Sequence, residues 1–325
     1  MITGKIKSTL RQFAAEAYYT SKHFLKRLRG KVLILTYHRI LSEKKSNKQF
    51  IQPGMYVQNN VFEKQMLFLE KYFSILSFTE LLDLWNKKTL RKDQRYCVIT
   101  FDDGWLDNYI YAYPILKEHN IPATIFLPTA FIGTNHWFWP DKISYIMMKQ
   151  LNGVNLNGKI DSAIDAYKEL PEEEIHGFIV EMSKNLSLDF PDKRVLINWD
   201  EVDEMSRHDI AFGSHSCTHK ILTRLPVKER QKEIEESLYT LRQKNINYSP
   251  VFCYPNGNYN QEIINQVKAA GYRAAVSTRY GFEDGLPQDL FSLKRISIHN
   301  DITATIPLFA FHISGLNHIS NITSS

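Results

Sequence analysis

The chain has 325 residues, of which 43% are hydrophobic and 23% charged, with a net charge of +5. These values are ordinary for a globular protein with a large core, built as one large domain or two smaller ones. Three cysteines without a Cys-x-x-Cys pair argue against a disulfide framework and are typical of a reducing compartment. No apolar stretch of the sequence has the length of a transmembrane helix.

Residues 1–31 form a basic amphipathic segment. They carry eight Lys or Arg residues against one acid, Glu16, a net charge of +7 that leaves −2 for the rest of the chain. Apolar residues recur at helical spacing, without the continuous apolar run of a secretory signal. A helix packed against the domain and a helix on an anionic membrane surface both explain this pattern. We expect a cytoplasmic chain, peripheral at the inner face of the membrane if the second explanation holds, and no nucleic-acid partner, because the body is slightly acidic.

Strands and helices are predicted to alternate from residue 32 onward. Apolar, β-branched runs over 32–38, ending in a histidine, and over 96–101 predict buried strands. Patterns with helical spacing lie between the strands predicted later in the chain. This alternation predicts parallel strands around a barrel-like sheet. Residues 135–195, rich in Glu, Asp and Lys, predict a mostly helical insertion whose aromatic cluster suits either core packing or a substrate wall. A polar, Ser-rich tail over 312–325 is predicted to be disordered.

Two adjacent carboxylates follow the second of these strands. In Thr100-Phe101-Asp102-Asp103-Gly104 the glycine ends the strand, so both acids lie where a strand gives way to a loop. Catalytic groups gather at this end of the strands in parallel α/β folds. Neighbouring residues on an extended chain point in different directions, so one carboxylate can face a metal while the other faces the substrate.

A histidine pair follows another strand-like segment, over 210–213. His215 and His219 stand four residues apart, and such positions share one face of a helical turn. Two imidazoles and one aspartate oxygen suit zinc and similar ions, with an open position for water. The other aspartate is then free to act as a base, a constellation that suits metal-assisted hydrolysis. Cys217 lies between the histidines, and its position would point it away from the site.

These residues resemble the polysaccharide deacetylases of the NodB-homology type, carbohydrate esterase family 4. Thr-Phe-Asp-Asp-Gly matches the first family motif, and the histidine segment matches the second, His-Ser/Thr-x-x-His. The resemblance covers about residues 32–300 and implies a distorted (β/α) barrel domain over 32–311. It further implies that Asp102 is the general base. The implied metal ligands are Asp103, His215 and His219.

A third segment, Phe-Cys-Tyr-Pro-Asn-Gly, resembles the Phe-x-Tyr-Pro-x-Gly form of the third family motif. The resemblance implies that the backbone N–H of Asn256 helps to bind the oxyanion, with Tyr254 and Pro255 at the substrate. Many members carry an arginine where this chain has Cys253. Arg295 is a candidate to orient the base in its place.

Two histidines compete for the role of general acid. His38 ends a run that resembles the opening strand of a family subset with a circularly shifted motif order, in which the early histidine is the proton donor. His299 stands where the ordinary late motif would fall. An imidazole suits the role because its unperturbed pKa lies near neutrality. Either residue could instead be a hydrogen-bonded core histidine.

The resemblance implies removal of an N-acetyl group from an amino sugar, in a polysaccharide or a lipid-linked glycan precursor. The cofactor would be a divalent ion, Zn²⁺ first and otherwise Co²⁺, Ni²⁺ or Mn²⁺. O-deacetylation, hydrolysis of another amide and a non-catalytic glycan-binding module are the alternatives. A metal phosphoesterase is disfavoured because the two acids are adjacent rather than spaced as Asp-x-Asp.

Overall fold

The structure, a computed structural model, describes residues 2–46, 51–52, 54–150 and 159–316. Within them, ten strands follow one another along the chain: β1 (Val32–Tyr37), β2 (Arg39–Leu41), β3 (Tyr56–Gln58), β4 (Ser74–Ile75), β5 (Tyr96–Phe101), β6 (Ala123–Leu127), β7 (Ile210–Ser214), β8 (Tyr248–Cys253), β9 (Ala274–Tyr280) and β10 (Leu293–Ser297).

Seven of these strands close a parallel barrel. Their order is β1-β10-β9-β8-β7-β6-β5, and β5 pairs again with β1, from Val32 opposite Tyr96 to Tyr37 opposite Phe101. β4 pairs with the start of β5, while β2 and β3 form a separate small sheet. The register shifts between β7 and β8 and between β9 and β10. The predicted distorted (β/α) barrel is therefore confirmed.

The barrel strands are buried on both faces, because side chains fill the interior and helices cover the outside. β1 and β5 show this clearly, since every residue in each strand is buried. Both strands are runs of aliphatic, β-branched and aromatic residues, which parallel strands with two covered faces favour.

Helices connect the strands and surround the barrel. Two of them begin with capping boxes, Ser77 with Glu80 and Asn198 with Glu201. The helices are α1 (Ile2–Thr20), α2 (His23–Arg27), α3 (Glu43–Ser46), α4 (Asn59–Tyr72), α5 (Phe78–Lys87), α6 (Tyr113–Glu118), α7 (Trp139–Gln150), α8 (Lys159–Tyr167), α9 (Glu172–Asn185), α10 (Trp199–Ser206), α11 (Val227–Gln243), α12 (Gln261–Ala270), α13 (Asn300–Thr303) and α14 (Ile306–Ile313).

Helices α7, α8 and α9 lie between β6 and β7 as an insertion into the barrel. Residues 151–158, between α7 and α8, lie outside the described residues. The three helices share an apolar cluster of their own, built on buried isoleucines: Ile143, Ile146, Ile160, Ile164, Ile175 and Ile179.

The C-terminal helix extends further than expected. Ile313 is fully buried, and the buried ring of His312 donates through Nε2 to the carbonyl oxygen of Ser297 at 2.9 Å. The expectation of a disordered tail from residue 312 is therefore wrong for residues 312–316, which these contacts fix to the barrel. Residues 317–325 lie outside the described part of the chain.

One face of α1 packs against α13 and α14. The rings of Tyr18 and Phe311 meet edge to face with centroids 5.7 Å apart, and Arg11 donates to the carbonyl oxygens of Asp301 and Ile302. For this face, the structure agrees with the packed-helix explanation of the basic segment. In the described part of the chain, no helix combines the length and the apolarity that crossing a bilayer requires.

Candidate active site

Asp102 lies one residue past the end of β5 and is almost fully buried. Its two carboxylate oxygens accept hydrogen bonds from Nη1 and Nη2 of Arg295 at 2.7 and 2.8 Å. Burial alone would raise the pKa of Asp102, but the Arg295 guanidinium outweighs burial and lowers that pKa below its ordinary value. Asp102 is therefore held as a carboxylate in one orientation.

Asp103 faces different partners because the chain turns between the two acids. Its φ of 73° is left-handed, so the backbone does not run extended here as the sequence pattern suggested. Gly104 is left-handed too, and a Cβ at that position would lie 2.8 Å from Cδ2 of Leu127. Glycine is thus required where the chain leaves the strand.

The two histidines lie on a loop after β7, and the expectation of a helical turn is wrong. Ser216 and His219 have left-handed φ values of 62° and 60°, which a continuous right-handed helix does not contain. The backbone N–H of His219 donates to Oγ of Ser216 at 2.9 Å. This tight loop, rather than helical spacing, brings the rings of His215 and His219 to 4.7 Å between centroids.

Asp103, His215 and His219 together offer a site for a divalent ion. Oδ1 of Asp103 lies 3.5 Å from Nε2 of His215 and 3.3 Å from Nε2 of His219. Zinc bonds of about 2.0–2.2 Å in tetrahedral geometry place two ligand atoms roughly 3.3–3.5 Å apart, so both distances from Asp103 fit a shared ion. Burial alone would raise the pKa of Asp103, but the hydrogen bonds with both histidines lower it well below its usual value.

The tautomer of His215 also fits a metal ligand. Its Nδ1 donates to the carbonyl oxygen of Cys253 at 2.9 Å, which leaves Nε2 to face Asp103. Metal-binding histidines usually donate their other ring N–H to a carbonyl or carboxylate in this way. The backbone of β8 therefore fixes the ring orientation.

A second group of donor atoms, from Asp102, His215 and Cys253, also lies close together. Asp102 is already bound by Arg295, and Sγ of Cys253 lies 3.3 Å from Nη2 of the same arginine. Burial raises the pKa of the Cys253 thiol, and a protonated thiol is a poor metal ligand. The group around Asp103 is therefore the better metal site.

Glu233 of α11 stabilises the histidine loop. Its carboxylate accepts hydrogen bonds from the backbone N–H groups of Cys217 and Thr218 at 2.9 and 2.7 Å, and another from the Thr218 hydroxyl. Cys217 belongs to neither donor group among the described residues, and its orientation away from the site stays a prediction. Sequence reasoning missed Glu233, because nothing local distinguishes it from the exposed acids of the same helix.

Trp105 and Arg39 support the other side of Asp103. Nε1 of Trp105 donates to Oδ2 of Asp103 at 3.0 Å, which leaves Oδ1 to face the histidines. The Arg39 guanidinium stacks on the Trp105 ring, 4.4 Å from its centroid, and its Nε donates to Oδ2 of Asp107 at 2.9 Å. Sequence reasoning missed these residues too, although Trp105 directly follows the first motif.

The two candidate acids lie in different places. His38 follows β1, and its Nε2 lies 3.9 Å from Oδ2 of Asp102. Burial lowers the pKa of His38, although Asp103 and Asp102 oppose the shift, and a lower pKa makes the imidazolium a stronger acid. Nδ1 of His299 contacts Asp301 at 3.0 Å instead. The structure therefore brings His38, and not His299, to the carboxylate pair.

The third predicted segment, over 252–257, spans the end of β8 and the turn that follows it. Asn256 has a left-handed φ of 55°. Asn256 and Tyr254 both line the cavity into which the site opens. Tyr254 is fully buried, and its hydroxyl donates to the carbonyl oxygen of Phe291 at 3.0 Å, so its polar end is already paired. Pro255 is buried and is not among the described residues that line the cavity.

The site opens into a cavity of about 1010 Å³ lined by the strand ends and the insertion. Phe138 packs against the rings of Trp105 and His219, with centroids 5.3 and 5.0 Å apart, and lines the cavity as well. The aromatic cluster therefore serves both packing and the cavity wall. The insertion contributes mainly aromatic and titratable side chains to this wall: His136, Trp137, Phe138, Trp139, Asp141, Lys168, Glu169, Glu172, Glu173 and His176.

Fold and site define the class: a parallel α/β barrel whose strand ends bring two adjacent carboxylates, Asp102 and Asp103, together with histidines. The sequence profile of the polysaccharide deacetylase family matches residues 89–275, more than half of the chain. The chain belongs to this family, as its motifs predicted. Its place in the circularly shifted subset stays a prediction.

Two relatives illustrate the similarity. YxkH of Bacillus subtilis (strain 168), provisionally named a polysaccharide deacetylase, is 25% identical over 209 residues, which are 64% of this chain and 53% of YxkH. The poly-beta-1,6-N-acetyl-D-glucosamine N-deacetylase of Staphylococcus aureus (strain N315) is 32% identical over 140 residues, which are 39% of this chain and 46% of that protein. The matches thus span about half the length of each relative.

Solved structures share the fold. The Streptococcus pyogenes deacetylase PplD, in complex with acetate, superposes with a TM-score of 0.57 at 20% identity, covering 84% of this chain and 94% of PplD. IcaB from Ammonifex degensii also gives 0.57, at 16% identity, covering 86% of this chain and 97% of IcaB. At these identities the similarity concerns the fold alone.

Proposed function

We propose that this chain is a metal-dependent hydrolase that removes an N-acetyl group from an amino sugar of a glycan. The main support is that two adjacent acids have different partners. Asp102 is bound by Arg295, whereas Asp103 faces the two histidines. One acid is thereby kept as a base and the other as a ligand, an arrangement that suits metal-assisted hydrolysis. Membership of the deacetylase family supports the same reaction.

The proton transfers are assigned to this chain's own residues. Asp102, kept ionised by Arg295, accepts a proton from the attacking water. His38, beside Asp102, donates a proton to the departing amine. The backbone N–H of Asn256, at the cavity wall, binds the oxyanion. The products are a free amine on the sugar and acetate.

A divalent ion bound by Asp103, His215 and His219 would polarise the acetamido carbonyl and lower the pKa of a water molecule. Zn²⁺ is the first choice, because two imidazoles and a carboxylate are a common catalytic zinc set, and Co²⁺, Ni²⁺ and Mn²⁺ accept the same ligands. The indole of Trp105 and the carbonyl of Cys253 keep these ligands oriented.

The cavity supports a glycan as the substrate, because aromatic side chains of the insertion line it and sugar rings pack on such surfaces. The name of the S. aureus relative makes β-1,6-linked N-acetylglucosamine oligomers the first substrate to test. Tyr254 is fully buried and its hydroxyl is paired, so we propose that it supports the cavity wall from behind and does not contact the sugar directly. For Pro255 we propose a supporting role beneath Asn256.

Acetate release from these oligomers tests the proposal. We expect turnover by the Zn²⁺-loaded chain, loss with EDTA, recovery with Zn²⁺ or Co²⁺, and a loss of at least about 10²-fold in Asp102→Asn. Asp83→Asn is the matched control, because Asp83 forms an exposed ion pair with Arg273 away from the cavity. Glycan binding without acetate release would instead indicate the non-catalytic module. Release that survives complete metal removal would contradict the metal site.

A further inference from the structure

The outer face of α1 carries exposed apolar side chains that the active site does not use. Leu10 is 64% exposed and Phe13 is 70% exposed. Ala14 and Ala17 are exposed as well. Positions i, i+3, i+4 and i+7 share one face of a helix, so these four residues form a single stripe, here called the α1 stripe.

The α1 stripe lies opposite the face of α1 that packs against α13 and α14. On that inner face Ala15 is fully buried, Tyr18 contacts the ring of Phe311, and Nε2 of Gln12 donates to Oγ1 of Thr305 at 3.3 Å. Because these contacts already anchor the helix, packing among the residues that the structure describes does not account for the apolar side chains on the outer face. Such a stripe indicates a surface for another partner.

The positive charge of residues 1–31 indicates which kind of partner the α1 stripe would bind. Residues 1–13 contain Lys5, Lys7 and Arg11 and no acid, within a segment of net charge +7 on a chain whose remainder carries −2. The first turn of α1 has no acidic residue, although an acid there would stabilise the helix dipole. An apolar stripe in a basic segment fits an anionic bilayer, where apolar side chains enter the acyl boundary and basic ones meet lipid phosphates.

A series of contacts also links α1 to the cavity wall. Arg11, next to the stripe, donates to the carbonyl oxygens of Asp301 and Ile302. Oδ2 of Asp301 in turn accepts a hydrogen bond from the backbone N–H of Gly54 at 2.9 Å. Met55, the next residue, lines the cavity. The helix that carries the α1 stripe is therefore connected, through Arg11 and Asp301, to a segment that borders the cavity.

We propose that the α1 stripe docks this chain on an anionic membrane surface with the mouth of the cavity near the bilayer. The docking stands on the exposed face and the charge of α1, whereas the reaction at the membrane rests on the proposed function. The substrate class selected by this placement is an N-acetylated glycan held at a membrane, rather than one diffusing freely in solution.

Sedimentation with lipid vesicles tests the docking. We expect the full chain to sediment with vesicles containing phosphatidylglycerol and not with pure phosphatidylcholine. Leu10→Ser/Phe13→Ser should lower the partition coefficient at least about tenfold. The matched control, Val227→Ser/Tyr239→Ser, removes side chains that are 57% and 66% exposed on α11 and should bind like the unmodified chain. Absent binding, or equal binding by the two double variants, would overturn the proposal.

Gel filtration without lipid tests whether the α1 stripe instead binds a second copy of the chain. If the unmodified chain elutes as a dimer and Leu10→Ser/Phe13→Ser as a monomer, the α1 stripe is an interface between copies and the membrane proposal fails. We expect both to elute alike, with equal melting temperatures, because the two side chains are exposed.

Acetate release separates docking from chemistry. The stripe variant should deacetylate a soluble oligomer at the unmodified rate, and an oligomer anchored to anionic vesicles at least about tenfold more slowly. Equal rates on the anchored oligomer would overturn the placement of the cavity at the bilayer. An unmodified chain that binds vesicles but releases no acetate from either substrate would refute the proposed function and support docking alone.

Discussion

Nη2 of Arg295 lies 3.3 Å from Sγ of Cys253, and the same guanidinium binds both oxygens of Asp102. The two residues come from β10 and β8, which β9 separates in the barrel. The family resemblance implied an arginine at position 253, whereas here the positive charge beside Asp102 comes from Arg295. The small thiol leaves the space that the guanidinium occupies.

Arg295→Met should lower kcat by about 10²-fold, because the base loses its orienting partner. Without the guanidinium, burial is left to raise the pKa of Asp102, so the acid limb of the pH profile of kcat/KM should move to higher pH. The profile is measured with Zn²⁺ saturating. Arg273→Met, which removes an exposed ion pair with Asp83, should leave rate and profile unchanged. A slow variant with an unshifted acid limb would show that Arg295 does not act on the base.

An arginine at position 253 should replace the positive charge that is lost when Arg295 is removed. In an Arg295→Ala background, Cys253→Arg places a guanidinium where Sγ now lies 3.6 Å from Oδ2 of Asp102. We expect the double variant to recover at least about tenfold of the lost kcat, since a paired buried carboxylate replaces an unpaired one. Cys253→Met in the same background fills the space without charge and should recover nothing. Equal rates for the two double variants would show that an arginine at position 253 cannot take over the role of Arg295.

Trp105→Phe should weaken zinc binding about 10- to 100-fold, because Oδ2 of Asp103 loses its hydrogen-bond donor and the ligand is no longer fixed. Competition with a chromogenic chelator measures this affinity directly, independently of turnover. Trp137→Phe is the matched control, since the indole N–H of Trp137 donates to the backbone of Lys193 instead. Equal affinities for the two variants would contradict a supporting role for Trp105.

Local patterns were enough to predict the acids and the histidines of the site but not the groups that support them. Asp102 and Asp103 are marked by a buried strand that ends in glycine, and the histidines by their spacing. Trp105 and Glu233 act through contacts with residues distant along the chain or across a turn, which no spacing encodes. The loop after β7 was mistaken for a helical turn because both conformations allow the spacing, and only left-handed residues distinguish them.

The barrel followed from the sequence for a similar reason. β1 and β5 are buried throughout, so their apolar runs were unambiguous. β2, β3 and β4 have only two or three residues, too few for a period to show, and they were not predicted. The end of α14 was missed because His312 and Ser314 look polar in sequence, while the fold buries both.

His38→Ala should lower kcat by about 10²- to 10⁴-fold, because the leaving amine loses its proton donor. His299→Ala should keep most of the activity, since that residue contacts Asp301 and is not among the described residues of the cavity wall. Both rates are measured as acetate release with Zn²⁺ saturating. A His38→Ala variant that keeps most of its turnover would contradict the assignment of His38 as the general acid. A large loss of turnover in His299→Ala would instead favour His299, at the position of the ordinary late motif, as the general acid.

Asp141 of α7 should make the stability of the fold fall as the pH rises. Burial raises the pKa of Asp141 to about 6, even though Arg39 opposes the shift. The folded chain thus binds this proton more tightly than the unfolded chain, whose aspartate titrates near its ordinary value of about 3.9. Protonation stabilises the fold fully below about pH 4, and this contribution is lost as the pH rises through about 6.

Asp141→Asn removes that titration, so the variant should gain stability over the unmodified chain as the pH rises from about 4 to about 7. A shift of about two units corresponds to roughly 3 kcal/mol, and partial exposure reduces the expected gain to about 1–2 kcal/mol. Urea unfolding in EDTA, across this pH range, measures the free-energy difference without a bound ion near the carboxylates. Asp83→Asn, at an exposed ion pair, should show a constant difference. If the free energy of unfolding depends on pH in the same way for the unmodified chain and for Asp141→Asn, the Asp141 carboxyl titrates alike in the folded and unfolded states. That result would contradict a raised pKa of Asp141 in the fold.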